Sequence, residues 1–389
     1  LDASSIGWES QDGQTSGVVN LDATYLTLGS SKNRQVSGGA IAGDASFNVN
    51  GQWVDLFGAI RLDGFGQVNI ASRNDIQLRG NQFGEQRDFL GELLTAADLT
   101  LTASKIYPTS LTEYKIAVEN NPEGSIDIIG TSGNNAVPLT AGGKLSIKAA
   151  HIRQAGTLLA PLGHINLEAS KSLELADGSV TSVSAKDLLV PLGIVQGGLD
   201  WLYPLDSVRN LVFDSTEEKR VVLKAPAIDQ ALGSVVDLSG GGDVFAYEFQ
   251  PGAGGSFDYL QTASQTNQNS FAVLPTLGTN FAPVDFFQSK GSPFKAGETV
   301  FLNGGGGLAA GEYVKLPAHY ALLPGAFLVT PKTGTQDQGF NSRTIDGRTI
   351  VSGYSAIAGS GKRDARSSGF MIENAGQVRQ QSQYQTYTG

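Results

Sequence analysis

The feature that most constrains the fold is a repeat with a period of 20 residues, which begins at Gly143 and again at Gly163. After each glycine, apolar and polar residues alternate, as they do in a β-strand with one buried face. Strands this short cannot bury that face alone, so each copy must stack on a similar neighbour. The repeat therefore predicts an all-β parallel β-helix, or solenoid. Its expected core residues are Leu145, Ile147, Ile152, Leu158, Ile165, Leu167, Leu173 and Leu175.

A common sequence pattern, which we call the corner phrase, recurs along the chain. It has apolar residues at offsets 0, +2 and +7 or +8 and a small residue at +4. We expect the small residue to mark a corner, where a bulky side chain would block the bend. An antiparallel β-sandwich is the alternative fold, but it does not need a 20-residue self-similarity. The copies begin at Val19, Val68, Leu99, Leu145, Ile165 and Val221.

The composition agrees with many tight turns between short buried strands. The 389 residues include 50 Gly, and 40% are hydrophobic against 16% charged, which is neither a disordered nor a collagen composition. The chain has no Cys, one Met and three His. Disulfides and thiolate metal sites are therefore excluded, and we expect neither a metal site nor a cofactor.

The net charge of −10 disfavours nucleic acid and anionic membranes as partners, because both would be repelled. No apolar run is long enough for membrane insertion, and the N-terminal residues do not read as a signal peptide. Because the chain opens within a possible strand and ends at QTYTG without an obvious cap, we expect it to be an excised piece of a longer protein.

Residues 1–260 are predicted to form the solenoid, with residues 261–389 as a β-rich C-terminal region that has Gly, Pro and aromatic residues and a polar tail. Three excursions are expected. The first, near 46–56, is a hairpin at Asn50-Gly51, with Trp53 used for packing. The second, at 82–97, is a short helix or an irregular segment. The third, at 186–212, interrupts the period with several Pro and Gly residues.

Trp201 and Tyr203, in the third excursion, are the candidates for ligand binding, with burial of both rings as the alternative. Other motifs fail as sites. Gly359–Lys362 lacks the first glycine and the Ser or Thr of a phosphate-binding loop, and Gly304–Gly307 lacks a βαβ context. Asp243 has no tandem partner for calcium.

Parallel β-helices also carry polysaccharide-cleaving enzymes, which need carboxylates from adjacent turns on one outer face. Solvent-facing positions of a solenoid are polar in any case, and the histidines His151, His164 and His319 are scattered. We therefore predict no catalytic residues and no enzyme. The charged residues weighed for this role are Asp127, Glu168, Lys171, Glu174 and Asp177.

Four stretches resemble a C-terminal region of filamentous-haemagglutinin-family exoproteins: LTASKIYP, PLTAGGKLSIKAAHIRQAGTLLAPLGHINL, VVDLSGGGDVFAYEFQPGAGGSFDYL and GLAAGEYVKLPAHYALLPGAFLV. The resemblance implies a right-handed β-helix and a bacterial protein secreted by the two-partner route. Its export partner would be an outer-membrane β-barrel transporter, and its location the cell surface.

The resemblance also implies an adhesin or biofilm role, and we expect a rigid stalk that contacts a polysaccharide, another glycan or a cell-surface receptor. Two alternatives stay open. One is a β-helical polysaccharide-cleaving enzyme, and the other is a ligand-free architectural spacer, which requires Trp201 and Tyr203 to be buried.

Overall fold

The computed structural model describes residues 1–3, 5–9, 16–30, 39–82, 89–133, 136–204, 210–213, 218–252, 257–260, 269–277, 279, 294, 297–332, 334 and 337–389. The chain forms two compact units. The first comprises Leu1–Leu188 and Ser215–Gly242, and the second comprises Leu189–Asp214 and Asp243–Gly389. Nearly all of the regular structure is β-strand, in agreement with the predicted fold class.

The strands up to residue 182 are β1 (Ser5–Gly7), β2 (Val18–Gly29), β3 (Ala42–Phe57), β4 (Ala59–Asp63), β5 (Phe65–Ser72), β6 (Asp75–Arg79), β7 (Asn81–Gln82), β8 (Phe89–Thr95), β9 (Asp98–Ala103), β10 (Lys105–Pro108), β11 (Thr112–Val118), β12 (Ser125–Gly130), β13 (Lys144–Ala155), β14 (Thr157–Leu159), β15 (His164–Leu175) and β16 (Val180–Ser182).

The strands that follow are β17 (Leu189–Gln196), β18 (Asp200–Pro204), β19 (Asn210–Val212), β20 (Arg220–Lys224), β21 (Ala227–Gln230), β22 (Val235–Asp237), β23 (Asp243–Phe249), β24 (Phe271–Val273), β25 (Glu298–Leu302), β26 (Gly311–Val314), β27 (Phe327–Lys332), β28 (Ser342–Arg343), β29 (Thr349–Ile357), β30 (Lys362–Arg363), β31 (Ser368–Asn374) and β32 (Tyr384–Thr388). A 3-10 helix spans Ala318–Leu322, and α1 spans Ala375–Gln381.

The first unit is a parallel β-solenoid with three faces. Face 1 contains β5, β9, β12 and β21 with one part of β2, β3, β13 and β15. Face 2 contains β6, β10, β14, β16 and β22 with the other part of β2 and β3. Face 3 contains β1, β4, β8, β11 and β20 with the other part of β13 and β15.

Aligned apolar side chains fill the interior of the solenoid. On face 1, each core residue lies directly opposite its counterpart in the next turn, so the layers stack in register. Burying one such side chain stabilises the fold by about 1.5–3 kcal/mol. All eight predicted core residues are buried in this cluster, which confirms the core prediction. The face 1 layer consists of Phe47, Val68, Leu99, Ile126, Ile152 and Leu173.

The turns are not uniform in length. Ile152 and its partner Leu173 are 21 positions apart, whereas Val68 and its partner Leu99 are 31 apart. The 20-residue period is therefore a local property, and other turns carry longer connections between their strands.

The corner phrase lies at bends of the solenoid, as predicted, and it occurs at two different corners. The copies that begin at Val19, Val68 and Leu99 run from face 1 to face 2, and those that begin at Leu145, Ile165 and Val221 run from face 3 to face 1. At the second corner, Ala149 lies opposite Ala169, and the register then shifts. The shift absorbs the extra residue that places the last apolar position of the Ile165 copy at +8.

The hairpin predicted at Asn50-Gly51 is wrong. Both residues lie inside β3, which runs unbroken and pairs in parallel with β2 and β5. Gly51 lies opposite Ala23 and Ser72, which are two of the predicted corner residues. The Asn-Gly pair therefore marks a corner that needs a small residue. Trp53 is 1% exposed, which confirms its predicted packing role.

The short helix or irregular segment predicted at 82–97 is also wrong for Phe89–Thr95, which the structure shows as a paired strand. Phe89–Thr95 forms β8, which pairs in parallel with β4 and β11 and antiparallel with β7. Residues 83–88 lie outside the described residues. Gly91 is required here, because a Cβ at this position would lie 2.3 Å from the ring of Tyr114 on the next turn.

The third predicted excursion, 186–212, leaves the solenoid. Strands β17, β18 and β19 belong to the second unit, where they form a five-stranded sheet with β23 and β32. The solenoid resumes at β20, which pairs with β15. Because β23 pairs with β17 and β32, the first unit ends at Gly242, and the observed division differs from the one predicted at residue 260.

The second unit contains a further antiparallel sheet of eight strands, in the order β24-β27-β31-β29-β25-β26, with β28 and β30 also paired to β29. Its core includes Phe271, Val300, Val351 and Ile372. The predicted polar tail is an integral part of this unit. Strand β31 pairs with both β27 and β29, and α1 begins with a capping box between Asn374 and Gln377.

We expect Gly163→Ala to destabilise the solenoid. A Cβ at Gly163 would lie 1.9 Å from the carbonyl oxygen of Gly143, which accepts a hydrogen bond from His164 N–H at 3.0 Å. Overpacking of this kind lowers the free energy of unfolding by about 1–3 kcal/mol. Urea denaturation followed by circular dichroism measures the change. Gly240→Ala is the matched control, because a Cβ there meets no atom within 4 Å. Equal stability of the two variants would contradict the close stacking.

We expect Ile165→Asp to disrupt the array, because a buried carboxylate without a partner costs several kcal/mol. The adjacent change Asn166→Asp lies on the outward side of the same strand and should leave the thermal unfolding temperature nearly unchanged. A wild-type unfolding temperature for Ile165→Asp would overturn the core assignment.

Candidate ligand-binding grooves

The corner between faces 3 and 1 carries a groove of about 650 Å³ on the outside of the solenoid. The alanines of three copies of the corner phrase, Ala149, Ala169 and Ala225, line it. Their small side chains leave the space that a bulky residue would fill. The requirement for a small residue at the bend therefore also produces a concave surface, which we call the corner groove.

A row of charged side chains, which we call a charge ladder, runs along the corner groove. Lys148, Glu168 and Lys224 occupy the same register position on successive turns. Glu168 accepts a hydrogen bond from Lys224 at 2.7 Å and forms an ion pair with Lys148 at 3.0 Å. These hydrogen bonds hold the pKa of the Glu168 carboxyl below its ordinary value. The three side chains are part-exposed, so the ladder presents two cations and one carboxylate to solvent.

A second ladder runs along face 1. Arg153 lies between Asp127 and Glu174, with N–O distances of 3.3 Å and 3.4 Å. Because these residues are register partners on consecutive turns, the spacing of strands sets the spacing of charges. Exposed pairs of this kind contribute little to stability, so they define the surface more than they hold the fold.

The corner between faces 1 and 2 carries another groove, of about 550 Å³, which we call the amide groove. Its lining includes Asp22, Asn50, Gln52 and Arg73. On the neighbouring face, the side-chain amides form a ladder in which Asn69 donates to Asn48 at 2.9 Å and Asn48 donates to Asn20 at 2.8 Å. This surface offers mainly uncharged donors and acceptors.

The two predicted binding residues, Trp201 and Tyr203, lie in β18 of the second unit and are not among the residues that line either groove. Tyr203 is 0% exposed, so its ring offers no surface to an external ligand in this structure. Trp201 is half-buried, its Nε1–H donates to the carbonyl oxygen of Leu192, and its ring lies 6.5 Å from that of Phe213. Sequence reasoning missed the grooves, although the corner alanines that form one of them were identified.

The charged residues weighed for catalysis are mostly paired. Asp127 and Glu174 flank Arg153, Glu168 lies between two lysines, and Lys171 pairs with Glu123. Hydrogen bonds from Lys171 and His151 hold the pKa of the Glu123 carboxyl below its usual range. A carboxylate of this kind stays ionised at neutral pH and is a poor general acid.

One carboxyl that sequence reasoning did not single out has the opposite behaviour. Burial raises the pKa of Glu92, which is half-buried, and the nearby charge of Glu119 acts in the same direction. Lys115, the register partner of Glu92, opposes the shift and pairs with Glu119 at 2.7 Å. Glu92 therefore differs from the ladder carboxylate Glu168, whose pKa is lowered by its lysine partners.

The three histidines have different surroundings. His151 Nδ1 lies 2.7 Å from the hydroxyl of Ser172, and His164 contacts the carbonyl oxygen of Glu218. His319 lies in the second unit, stacked at 6.0 Å on Tyr247, where burial lowers its pKa to about 4. Within the described ranges, no three His, Cys, Asp or Glu side chains come together as metal ligands.

The glycine motifs form turns. Gly359 and Gly361 have positive φ in the hairpin between β29 and β30, and Gly304–Gly307 lie in the connection between β25 and β26. Neither follows a strand into a helix, as a phosphate-binding loop requires. Asp243 begins β23.

Comparisons with protein-family models, with curated proteins and with solved structures found no match for the chain. The resemblance to filamentous-haemagglutinin-family exoproteins therefore stays a prediction from sequence. In the part of the chain that the structure describes, no helix combines the length and the apolar character needed to cross a bilayer.

Face 2 contains a buried ion pair, Asp75–Lys105, in which burial shifts the pKa values of both side chains. Asp75 and Lys105 are register partners, 3.6 Å apart and 1% and 2% exposed, and Tyr107 lies 3.4 Å from the carboxyl of Asp75. Burial raises the pKa of Asp75 to about 6, against the opposing charge of Lys105, and burial lowers the pKa of Lys105. Because the pKa of Asp75 is higher in the folded protein than in the unfolded chain, its protonation adds to the free energy of unfolding. This contribution is fully present below the ordinary pKa of an aspartate and is lost as pH rises through about 6.

We expect Lys105→Met to destabilise the protein more at neutral pH than at about pH 4.5, because Asp75 then lacks its cation and is ionised only at the higher pH. Thermal unfolding at both pH values measures the difference. The double variant Asp75→Asn/Lys105→Met should lose this pH dependence. An equal loss of stability at both pH values in the single variant would contradict the pairing.

Proposed function

We propose that this chain is a segment of a secreted bacterial cell-surface protein whose solenoid binds an extracellular polysaccharide and acts as a rigid adhesive stalk. The observation that carries the proposal is the corner groove, with its floor of stacked alanines and its ladder of Lys148, Glu168 and Lys224. A part-exposed row of donors and acceptors is suited to a ligand that carries many hydroxyl groups.

The repeated geometry supports a polymeric ligand. The two charge ladders, one at the corner groove and one on face 1, repeat at the strand spacing of about 4.8 Å, so polar groups recur along the solenoid axis. A polymer can engage several such positions at once, and its overall affinity then exceeds that of any one contact. The mechanism is therefore reach and multivalent contact, in biofilm-matrix binding or cell-cell attachment.

The overall charge of −10 favours a glycan or a protein receptor over nucleic acid or an anionic membrane. Export through an outer-membrane β-barrel transporter, and location at the bacterial surface, belong to the proposal through the sequence resemblance. A cell-surface receptor is the second partner class that the same exposed ladders would suit.

Two other functions have specific support. The first is a polysaccharide-cleaving enzyme, for which the half-buried Glu92, whose pKa is raised by burial, is the carboxyl to test. The complete burial of Tyr203 and the partial burial of Trp201 favour an architectural spacer. The adhesive function is preferred because the corner groove is open and its carboxylate is paired with lysines.

The test is binding of the purified chain to an array of bacterial exopolysaccharides, with the supernatant assayed for newly released sugar ends. We expect binding without cleavage, and about tenfold weaker binding for Lys148→Gln/Lys224→Gln, because charge-assisted hydrogen bonds are lost. Lys171→Gln/Lys219→Gln is the control, since it makes the same charge change outside the groove lining.

Three outcomes would redirect the proposal. Equal weakening by both double variants would show a nonspecific charge effect. Released sugar ends that disappear in Glu92→Gln would favour the enzyme. If the chain binds to no glycan on the array, the result would favour the architectural spacer.

A further inference from the structure

The second unit contains a separate pocket of about 340 Å³ beside the hairpin of β29 and β30. It is near the lower limit of ligand pockets, which enclose about 300–1,000 Å³. Its charged and polar lining consists of Glu298, Lys315, Ser355, Lys362, Arg363 and Asp364. The adhesive proposal for the solenoid does not involve these residues.

A buried ammonium group defines the pocket. The Lys315 side chain is 9% exposed, and its Nζ donates a hydrogen bond to the hydroxyl of Ser355 at 3.1 Å. The nearest described carboxylate oxygen, from Glu298, lies 3.8 Å away, beyond hydrogen-bond distance. The rings of Phe271 and Phe294 each lie 5.2 Å from Nζ. An ammonium has three donors, so this group keeps capacity for an acceptor in the pocket.

The rim adds two exposed cations. Lys362 and Arg363 form β30, and the Arg363 guanidinium is held over the ring of Tyr354 at 5.0 Å. The Asp364 carboxylate is already engaged, because it accepts the Ser355 N–H at 2.9 Å. Three cations thus face two carboxylates, and the lining carries one net positive charge.

We propose that this pocket binds a small monoanionic carboxylate, held by Lys315 at the base and by Lys362 and Arg363 at the rim. One negative charge balances the lining, and the size suits a single sugar acid or a similar organic acid. Arg363 is placed to contact a carboxylate in a planar, two-pronged manner. The apolar side chain of Ile357, which also lines the pocket, offers a surface to the carbon skeleton of the ligand.

The environment of Lys315 agrees with this ligand. Burial lowers the pKa of Lys315, against the opposing charges of Glu298 and Asp364. A bound carboxylate would supply a further negative charge beside the ammonium and would favour its protonated form.

The test is isothermal titration of the full chain with glucuronate, with glucose as the uncharged probe and inorganic phosphate as the competing anion. We expect saturable glucuronate binding, no glucose binding, and phosphate that is at least tenfold weaker. Lys315→Met should abolish glucuronate binding. Lys362→Gln/Arg363→Gln changes only exposed side chains, so it should fold normally and bind glucuronate at least tenfold more weakly.

Lys332→Gln, outside the pocket, is the control and should bind glucuronate as the wild type does. Wild-type affinity in Lys362→Gln/Arg363→Gln would overturn the proposed site, as would the absence of saturable binding to the wild type. Phosphate binding as tight as glucuronate binding would overturn the carboxylate class. Polysaccharide binding by the corner groove is measured separately with Lys148→Gln/Lys224→Gln, so either proposal can fail without the other.

Discussion

The first unit depends on one constraint: each turn must present the same backbone edge and the same apolar layer to the turn that follows. Parallel pairing satisfies the backbone groups of β3, β5, β9 and β12 only while their core residues stay in register. A shift by one residue would move every apolar side chain of a strand to the outer face. The register shift beside Ala149 falls at a corner, where an extra residue can be accommodated without disturbing the core.

That constraint also shapes the outer surface. A bend between two faces leaves no room for a large side chain, so alanine, serine or glycine occupies the corner, and successive turns place these small residues side by side. The same stacking aligns outward side chains into ladders such as that of Lys148, Glu168 and Lys224. The groove and the alignment of its charges are therefore consequences of the repeat, and the identity of the outward residues sets the chemistry that the surface presents.

Charged side chains have different energetic consequences on the surface of the protein and in its interior. The exposed ladders alternate in sign and cost little to form, because water screens them. The pairs Asp75–Lys105 and Arg79–Asp55 are nearly buried, so each ion depends on its partner to offset the loss of hydration. Lys315 in the second unit is an intermediate case, since its carboxylate partner is at 3.8 Å and its pocket is open.

The sequence by itself determined the parallel solenoid, the identity of core residues such as Ile147 and Ile165, and the corner role of Ala149 and Ala169. These follow from local periodicity, which is written in one stretch of chain. The predictions for Asn50-Gly51 and Phe89–Thr95 were wrong. An Asn-Gly pair at a corner resembles the signal for a hairpin, and adjacent leucines resemble the apolar stripe of a helix. Only the tertiary structure decided which turns are neighbours, and hence the corner groove, the place of Glu92 beside Lys115, and the assignment of 189–214 to the second unit. Those features depend on contacts between residues that are distant in sequence, and no local pattern encodes them.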